Sequence, residues 1–453
     1  MVHFLELIYF LLVVKAILRC LYFWQLKEYR LDRFKEFLTT SQKKQYFLPT
    51  KWFLRPKFTL KIFLLAYLST YFTFLILRFS YQFIGPIIAY LTIPLSVSIS
   101  VLFLSPISNL IIDLIIFLAK IKIRLMPKSL IVIGITGSYG KTSVKEILAH
   151  LLTSKYKVCK TKGTDNTAIG VAKTILKSLN QSHQLFVVEM GAYTKGEIKK
   201  ICNLVKPSIG IITGITNQHL GLFGSLDNII KAKYELIKSL PANGLAVFNA
   251  NNSYTKKMAS AAKHLKTISY YQPKIIYATN LLGDYQQINI QAAVLVAKIL
   301  KVPNSDIKLK LKTIPAFKTM MTQKKAIKQS VVIDDTYNAN QQGFLAAIKH
   351  LDNLKNSHKV LITSGIIELG KSKQQVHQQI ARKSFKVFDE IILTKKDIAD
   401  IFSNLNPKIK ITFQPDYKQL TKYLKTNLKP KSAILLESRM PKKFIDSLCQ
   451  NQS

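Results

Sequence analysis

The stretch that decides the fold of this chain is residues 130–154, LIVIGITGSYGKTSVKEILAHLLTS. Its first seven residues are a short, apolar, β-branched run typical of a fully buried strand, and its last eleven have the apolar spacing of an amphipathic helix. Between them, residues 137–143 (GSYGKTS) form a glycine-containing turn. Strand, glycine turn and helix in this order are the context in which a phosphate-binding loop is built.

Each residue type in this turn has a task in holding phosphate. Gly137 and Gly140 allow backbone N–H groups to turn inward, and the following helix adds the partial positive charge of its N-terminus. Lys141 would reach the outer phosphates of a nucleotide, and the Thr142 hydroxyl would bind Mg²⁺. The strict spacing of such loops needs a glycine at position 135, where this chain has Ile135. The loop is therefore a variant, and a chance glycine turn is the competing interpretation.

The chain is both strongly basic and rich in hydrophobic residues. It has 453 residues with 66 Lys and Arg against 24 Asp and Glu, a net charge of +42, yet 48% of its residues are hydrophobic. This combination excludes intrinsic disorder, which requires low hydrophobicity together with high net charge. The four cysteines include no C-x-x-C pair, so neither a disulfide framework nor a structural zinc site is indicated. The length predicts about two to four domains.

Apolar residues are concentrated in the first 126 residues. Two stretches, 60–78 and 83–104, are long and apolar enough to form an antiparallel pair of membrane spans. Residues 4–23, which carry three charges, form either a third span or a helix in the interface. Residues 107–125 end in basic residues and are predicted to be an interfacial helix. The competing interpretation is a set of buried helices in a soluble domain.

Charge predicts the topology of this region. Ten Lys and Arg lie between residues 24 and 61, whereas the short loop after the first span has only Arg78. By the positive-inside rule the longer segment is cytoplasmic, and the second span returns the chain to the cytoplasm. We therefore expect a multi-pass cell-membrane protein, in contact with membrane lipid, whose remaining domains lie on the cytoplasmic side. Nucleic-acid binding is not expected, because no recognition motif is present and the lysines are spread throughout.

Further motifs follow the turn in order along the chain. They are VVEMGAYTKGEI (187–198), TNQHLGLFGSLDNIIKAKYEL (216–236), GDYQQINIQAA (283–293), DDTYNANQQGFLAAI (334–348), SGIIELG…H (364–377) and ESR (437–439). Together with GITGSYGKTSVKE, they resemble the motifs of the Mur ligase family, the ATP-dependent amide ligases of peptidoglycan precursor synthesis. The resemblance covers about residues 127–453 and is strongest to members that add D-alanyl-D-alanine to a muramoyl peptide.

The resemblance implies an α/β fold and a domain order. A P-loop central domain would occupy 127–314 and a Rossmann-like C-terminal domain 315–453. They would be preceded by an α-helical membrane region, 1–126, in place of the family's uridine-nucleotide-binding domain. The implied reaction activates a carboxylate of a UDP-linked or lipid-linked muramoyl peptide as an acyl phosphate. D-Ala-D-Ala or another amine would then displace phosphate.

The resemblance also assigns residues to ATP, Mg²⁺ and substrates. ATP would be bound by the turn and by adenine- and ribose-binding positions (Thr136, Gly137, Ser138, Gly140, Lys141, Thr142, Ser143, Asn289 and Asp335). Mg²⁺ would be bound by Thr142, Glu189, His219 and a carbamylated Lys233. Lys141, Glu189, His219 and Lys233 would be catalytic. Substrates would be contacted by Asn166, Tyr337, Asn338 and Asn340.

Several of these assignments have a competing structural interpretation. Glu189 ends an apolar strand, where a carboxylate is costly unless a cation pairs with it, and a salt bridge would serve as well as a metal. Lys233 could instead belong to a solvated basic helix face; carbamylation needs an unprotonated amine, which burial would favour. His219 could be a surface histidine, and asparagines are common in turns.

The chain departs from the family pattern at three further places. Lys318-Thr319 replaces a Gly-Arg pair, Gln341 replaces a proline, and Leu436-Glu437 replaces a Lys-Gly pair. A lysine cannot supply the planar fork of an arginine, so these changes put nucleotide contacts of the last domain in doubt. Two alternatives therefore stay open. They are a ligase that builds peptide polymers, similar to poly-γ-glutamate synthetases, and a nucleotide-binding scaffold without turnover. The oligomeric state is not determined by the sequence.

Overall fold

A computed structural model describes most of the chain. The residues that it does not describe are 1, 40–42, 49–53, 80–84, 164, 217–219, 318–319, 338, 356–357, 368, 370–371, 406–407 and 450–453. The predictions for His219, Asn338 and Lys318-Thr319 fall outside the described residues. The chain divides into two compact units, Met1–Ile115 and Ile116–Ser453.

The first unit is helical. Its helices are α1 (Val2–Leu26), α2 (Leu31–Thr39), α3 (Lys43–Phe47), α4 (Leu60–Phe79) and the first part of α5 (Gly85–Arg124). The Trp24 indole stacks on Phe34 with ring centroids 3.8 Å apart, and the Tyr46 hydroxyl donates a hydrogen bond to the Pro94 carbonyl at 2.8 Å. That carbonyl lies within α5, and the bond helps to satisfy a polar group in an apolar environment.

The structure corrects one prediction about this region. Residues 107–125 are not a separate interfacial helix, because α5 continues from residue 85 through Pro94 and Pro106 to residue 124. A proline removes one backbone hydrogen bond, and apolar helices tolerate this loss where nearby hydroxyl groups bond the freed carbonyl. The carbonyls freed by Pro94 and Pro106 are those of Tyr90 and Leu102, four residues earlier, whereas the Ser98 hydroxyl donates to the carbonyl of Pro94 itself at 2.7 Å. At 40 residues α5 is about 60 Å long, about twice the thickness of a bilayer's hydrocarbon core.

Two described helical segments are long and apolar enough to cross a membrane by length and composition. They are Glu6–Leu26 and Tyr90–Arg124, and Leu60–Ile76 is a shorter apolar helix. The first overlaps residues 4–23, for which the sequence left a span or an interfacial helix open. The multi-pass arrangement stays a prediction.

The second unit begins with a parallel six-stranded sheet in the order β2-β3-β1-β4-β5-β6. Its strands are short apolar runs separated by amphipathic helices, the pattern that produces parallel sheets covered on both faces. The strands are β1 (Ile131–Thr136), β2 (Val158–Lys160), β3 (Leu185–Glu189), β4 (Ile209–Ile212), β5 (Leu245–Asn249) and β6 (Lys266–Tyr270). The helices are α6 (Lys141–Leu152), α7 (Ala168–Ser178), α8 (Glu197–Val205), α9 (Leu220–Phe223), α10 (Leu226–Lys238), α11 (Ser253–Ala261), α12 (Gln286–Ile299) and α13 (Asn304–Lys312).

A second six-stranded sheet follows, in the order β11-β10-β9-β12-β8-β7. It is parallel except for β7, which runs antiparallel to β8. Its strands are β7 (Thr322–Lys325), β8 (Val331–Asp335), β9 (Lys359–Thr363), β10 (Glu390–Leu393), β11 (Lys410–Phe413) and β12 (Ala433–Glu437). Its helices are α14 (Gln341–Asp352), α15 (Lys373–Ser384), α16 (Lys396–Ser403), α17 (Tyr417–Asn427) and α18 (Lys442–Leu448). The predicted α/β fold, with two sheets after a helical region, is confirmed.

The topology of the first sheet places the candidate site. Residue Ile135 of β1 is the register partner of Glu189 at the end of β3, and of Ile211 near the end of β4. The carboxyl ends of these three neighbouring strands therefore meet at one edge of the sheet, where open α/β sheets bind ligands. The glycine turn between β1 and α6 lies at this edge.

Candidate functional site

The turn after β1 contains two glycines with positive φ. Gly137 has φ +153° and Gly140 has φ +77°, conformations that L side chains rarely adopt. A Cβ at position 137 would collide with the Thr213 hydroxyl, and one at 140 would lie 2.8 Å from Oδ1 of Asn289. Both glycines are therefore required by backbone conformation and by close neighbours.

Residues after β4 hold the turn in place. The Ser138 N–H donates to the Gly214 carbonyl at 2.6 Å, and the Thr216 N–H donates to the Ser138 hydroxyl at 3.0 Å. The Thr213 hydroxyl donates to the Tyr139 carbonyl. From the other side, the Thr136 hydroxyl donates to the Met190 carbonyl at 2.7 Å. The turn is thus bonded to the ends of both neighbouring strands.

Lys141 is folded back over this turn. Its Nζ atom donates to the Gly137 carbonyl at 2.8 Å and to the Ser138 carbonyl at 3.3 Å. Burial lowers the pKa of Lys141, and the negative charge of Glu189 opposes that shift. Thr142 and Ser143 follow in the first turn of α6, beside the helix N-terminus.

Glu189 is buried at the end of β3 and is held on several sides. Its N–H donates to the Thr161 hydroxyl at 3.0 Å, and its Oε1 accepts a hydrogen bond from Asn166 Nδ2 at 3.0 Å. Its Oε2 lies 3.3 Å from Lys145 Nζ and accepts no hydrogen bond from the described residues. The salt bridge that was the alternative to a metal ligand is therefore present. Oε2 of Glu189 nevertheless accepts no hydrogen bond from the described residues and could also bind a metal ion.

The sequence prediction missed Lys145. This side chain is fully buried, and its Nζ donates to the Gly163 carbonyl at 2.8 Å. It also lies 3.3 Å from Oε1 of Glu146, whose other oxygen pairs with Lys160. A signal was available, since Lys145 follows Lys141 by four residues and side chains at that spacing share one face of a helix.

Lys233 lies on α10 and is almost completely buried. Its Nζ lies 5.7 Å from the centroid of the Phe223 ring. Burial lowers the pKa of Lys233 to about 7, the positive charge of Lys141 lowers it further, and Glu197 and Glu235 act in the opposite direction. A substantial fraction of this amine is therefore unprotonated at neutral pH, which is the form that reacts with CO₂.

The donor atoms around the turn fit a hard divalent cation. Mg²⁺ prefers hydroxyl and carboxylate oxygens, and the Thr142 hydroxyl and Oε2 of Glu189 are of this kind. Among the described residues, no group of three or more His, Cys, Asp and Glu side chains is close enough to hold a metal ion. A carbamate on Lys233 would supply a further oxygen ligand. The residues therefore fit Mg²⁺ with few protein ligands, as is usual for that ion.

Two residues predicted to bind ATP lie in different parts of the unit. Asn289 is buried on α12, where it faces Gly140 and its Nδ2 donates to Gln286 Oε1 at 3.0 Å. Asp335 ends β8 and is the register partner of Glu437 at the end of β12. Burial raises the pKa of Asp335 to about 7. Burial and the neighbouring Asp335 also raise the pKa of Glu437.

The predicted substrate residues already have structural partners. Asn166 holds Glu189, as described above. The Asn340 Oδ1 accepts the Gly343 N–H at 3.0 Å and caps α14, which is the turn chemistry expected of a loop asparagine. Tyr337, after β8, has its hydroxyl next to Gly163, where an added Cβ would lie 3.5 Å away. Through Tyr337, the loop after β8 thus lies next to the loop between β2 and α7.

Comparisons with known proteins agree with this geometry. A family model described as "Mur ligase middle domain" matches residues 135–319, and one described as "Mur ligase, glutamate ligase domain" matches 320–439. A protein of Buchnera aphidicola subsp. Baizongia pistaciae, named UDP-N-acetylmuramoyl-tripeptide--D-alanyl-D-alanine ligase, is 30% identical over 338 residues, which are 67% of this chain and 71% of that protein. A protein of the same name from Synechocystis is 29% identical and covers 68% of this chain and 71% of its own length.

Solved structures agree as well. A crystal structure of MurF from Acinetobacter baumannii has a TM-score of 0.66 and 26% identity, and covers 74% of this chain and 79% of that one. MurF from Thermotoga maritima in complex with ADP shares the fold, with a TM-score of 0.62, 23% identity and coverage of 72% and 80%. The resemblance seen in the motifs is therefore confirmed, and the chain belongs to the Mur ligase family of ATP-dependent ligases.

Proposed function

We propose that this chain is a membrane-anchored amide ligase that uses ATP to join D-Ala-D-Ala, or another amine, to a muramoyl peptide. The observation that carries the proposal is the glycine turn after β1, over which Lys141 folds, beside the buried Glu189 at the end of the neighbouring strand β3. Burial is the main cause of the lowered pKa of both Lys141 and Lys233; the charge of Glu189 opposes the first shift and the charge of Lys141 adds to the second. The names of the relatives support a muramoyl tripeptide, UDP-linked in those proteins, as the acceptor and D-alanyl-D-alanine as the amine.

Amide formation requires activation, because a carboxylate is a poor electrophile. In the proposed reaction an oxygen of the substrate carboxylate attacks the γ-phosphorus of ATP, and ADP leaves. The amine nitrogen then attacks the acyl carbon, and phosphate leaves. Lys141 and the N–H groups of the glycine turn would bind and orient the phosphates, so that charge on the transferred group is stabilised electrostatically.

Mg²⁺, when bound, would neutralise phosphate charge and polarise the group that is transferred. Thr142, Glu189 and Lys233 would hold it, and His219 is the further ligand that the family resemblance implies. Carbamylation of Lys233 would join its unprotonated Nζ to CO₂ and release a proton, converting a neutral amine into an anion. Asn166 would position Glu189, and Asp335 and Asn289 would contribute to nucleotide binding.

The amino-terminal helices support the membrane part of the proposal. Residues 1–126 would form the membrane region, with 127–314 and 315–453 as the two ligase domains on the cytoplasmic side. The apolar helices stand where the family resemblance predicts a uridine-nucleotide-binding domain. A lipid-linked muramoyl peptide is therefore the acceptor that we favour over a UDP-linked one, because the helices would bring the site to a substrate held in the bilayer.

Phosphate release from the full chain in lipid nanodiscs tests the function. ATP and D-Ala-D-Ala would be combined with lipid-linked or UDP-linked muramoyl tripeptide, and Lys141→Ala would serve as the inactive control. We expect turnover that depends on both acceptor and amine, with the lipid-linked acceptor preferred. Efficient turnover of the UDP-linked acceptor alone would exclude the lipid-linked substrate. Amino-acid-dependent ADP release without any muramoyl acceptor would favour the polymer ligase, and ATP binding without turnover would favour the scaffold.

A further inference from the structure

An apolar loop projects from the edge of the first sheet. Residues 271–276 connect β6 toward α12, and their side chains include Tyr271 at 59%, Ile275 at 81% and Ile276 at 78% exposure. Ile275 is the most exposed large hydrophobic side chain among the described residues. A single exposed apolar residue is ordinary, but adjacent ones at the tip of a loop are typical of an interaction site.

Both ends of this loop are fixed. Tyr270 is buried, and its hydroxyl donates to the Thr213 carbonyl at 3.4 Å. At the other end the Tyr277 N–H donates to Gln287 Oε1 at 2.8 Å, and its hydroxyl donates to Gln291 Oε1 at 2.6 Å. The isoleucines are therefore presented by an anchored loop, and their exposure is a property of the fold.

The surroundings of the loop are strongly basic. From residue 236 to residue 283 the chain contains six lysines and neither aspartate nor glutamate. Five of these lysines are exposed on α11, on β6 or in the adjoining loops: Lys256, Lys257, Lys263, Lys266 and Lys274. β6 is an edge strand of its sheet. We call α11, β6 and the loop 271–276 the basic edge.

We infer that the basic edge is a peripheral membrane-binding surface for anionic lipid. Its lysines would bind the headgroups while Ile275 and Ile276 enter the apolar boundary beneath them, the combination that holds proteins at membrane interfaces. Each lysine close to an anionic leaflet contributes about fivefold to the binding equilibrium. The inference rests on the membrane anchoring proposed above, because a chain tethered to a bilayer meets its surface at high effective concentration.

A fluorescence experiment on the full chain in nanodiscs tests this surface. An environment-sensitive dye would be attached to Ile276→Cys in a Cys449→Ser background, because the other three cysteines are buried. The matched control carries the dye at Phe413→Cys, another exposed apolar position, at the end of β11. Nanodiscs would contain phosphatidylcholine alone or with phosphatidylglycerol, and a brominated phospholipid would quench any dye that enters the bilayer.

We expect a blue-shifted emission and several-fold stronger quenching at position 276 than at 413, in anionic nanodiscs only. Raised salt should weaken the effect, and so should replacement of Lys257, Lys263, Lys266 and Lys274 by glutamine. The same replacement of Lys418, Lys422, Lys425 and Lys429, which are exposed on or beside α17, should not. Equal quenching at the two positions, or in the two lipid compositions, would overturn the inference. Failure of the chain to enter nanodiscs would instead refute the anchoring itself.

Discussion

The Nζ atom of Lys145 lies 3.3 Å from Oε2 of Glu189 and at the same distance from Oε1 of Glu146. One helix, α6, therefore carries Lys141, which we propose binds phosphate, at its start and, one turn later, the counter-ion of the carboxylate expected to bind Mg²⁺. Lys145 donates a hydrogen bond to the Gly163 carbonyl. Its ammonium group can therefore stay in place when the Glu189 carboxylate rotates toward a bound metal ion.

Replacement of Lys145 by methionine should destabilise the protein strongly. The variant keeps most of the side-chain volume but leaves Glu189 buried without its counter-ion, which typically costs about 3–5 kcal/mol. The melting temperature of the nucleotide-free protein measures this effect. Lys231→Met is the control, because Lys231 pairs with Asp227 four residues away on an exposed helix face, where a pair contributes about 0–1 kcal/mol. If the two substitutions lowered the melting temperature equally, the buried Lys145–Glu189 pair would contribute no more to stability than the exposed pair.

Lys233 should become carbamylated as the pH rises through about 7. Burial and Lys141 bring its pKa to about 7, so the unprotonated amine is a minor form at pH 6 and the major form at pH 8. With ¹³C-labelled CO₂ held at a fixed partial pressure, a carbamate signal should grow over this range in parallel with ligase activity. The signal should be absent in Lys233→Arg. Full activity of that variant would contradict a role for the carbamate.

The residues that the sequence predicted best are those whose chemistry is local. The strand at 130–136, the glycine turn and the following helix are determined by residues adjacent in sequence. In the structure they are β1, the loop after it and α6. Lys145 was missed because its partners Gly163 and Glu189 come from other strands and loops. Residues 107–125 were predicted to form a separate interfacial helix, but α5 continues through Pro106 to Arg124. The pairing of Asp335 with Glu437 depends on the adjacency of β8 and β12, which lie about a hundred residues apart in sequence.

Glu437→Gln should stabilise the protein at alkaline pH. The pKa of Glu437 is raised in the folded state, so its contribution to stability is present below the unfolded pKa near 4.5 and is lost as the pH rises. The glutamine variant has no such loss, and we expect it to gain about 1–3 kcal/mol at pH 8 and little at pH 5. Melting temperatures at the two pH values measure this difference.

Glu390→Gln is the matched control for that experiment. Glu390 is also buried at a strand position, but it accepts a hydrogen bond from the Tyr423 hydroxyl at 2.6 Å and lies 3.0 Å from Lys410 Nζ. Its carboxylate is therefore compensated, and its replacement should not stabilise the protein at pH 8. A Glu437→Gln variant that is less stable than the parent at pH 8 would mean that the carboxyl group contributes favourably in its charged form.

His377 should make the second sheet's domain sensitive to acid. Its Nε2 accepts the Ile366 N–H at 2.9 Å, and its Nδ1 lies 2.7 Å from the Lys373 carbonyl, so the neutral ring with a proton on Nδ1 satisfies both. Burial lowers the pKa of His377 to about 4. The unfolded chain binds a proton at His377 near pH 6.5, whereas the folded chain does not. The contribution of neutral His377 to the free energy of unfolding is therefore fully present above pH 6.5 and is lost as the pH drops toward 4.

The expected loss is about 3 kcal/mol over that range, from the difference between the two pKa values. Denaturation midpoints at pH 7 and pH 4.5 measure it in the parent and in His377→Gln, which cannot take up the proton and should show a much smaller dependence on pH. His264→Gln, at an exposed position, should behave as the parent does. If His377→Gln retained the full acid sensitivity, the loss would have to come from the carboxylates, and the neutral histidine would have no part in it.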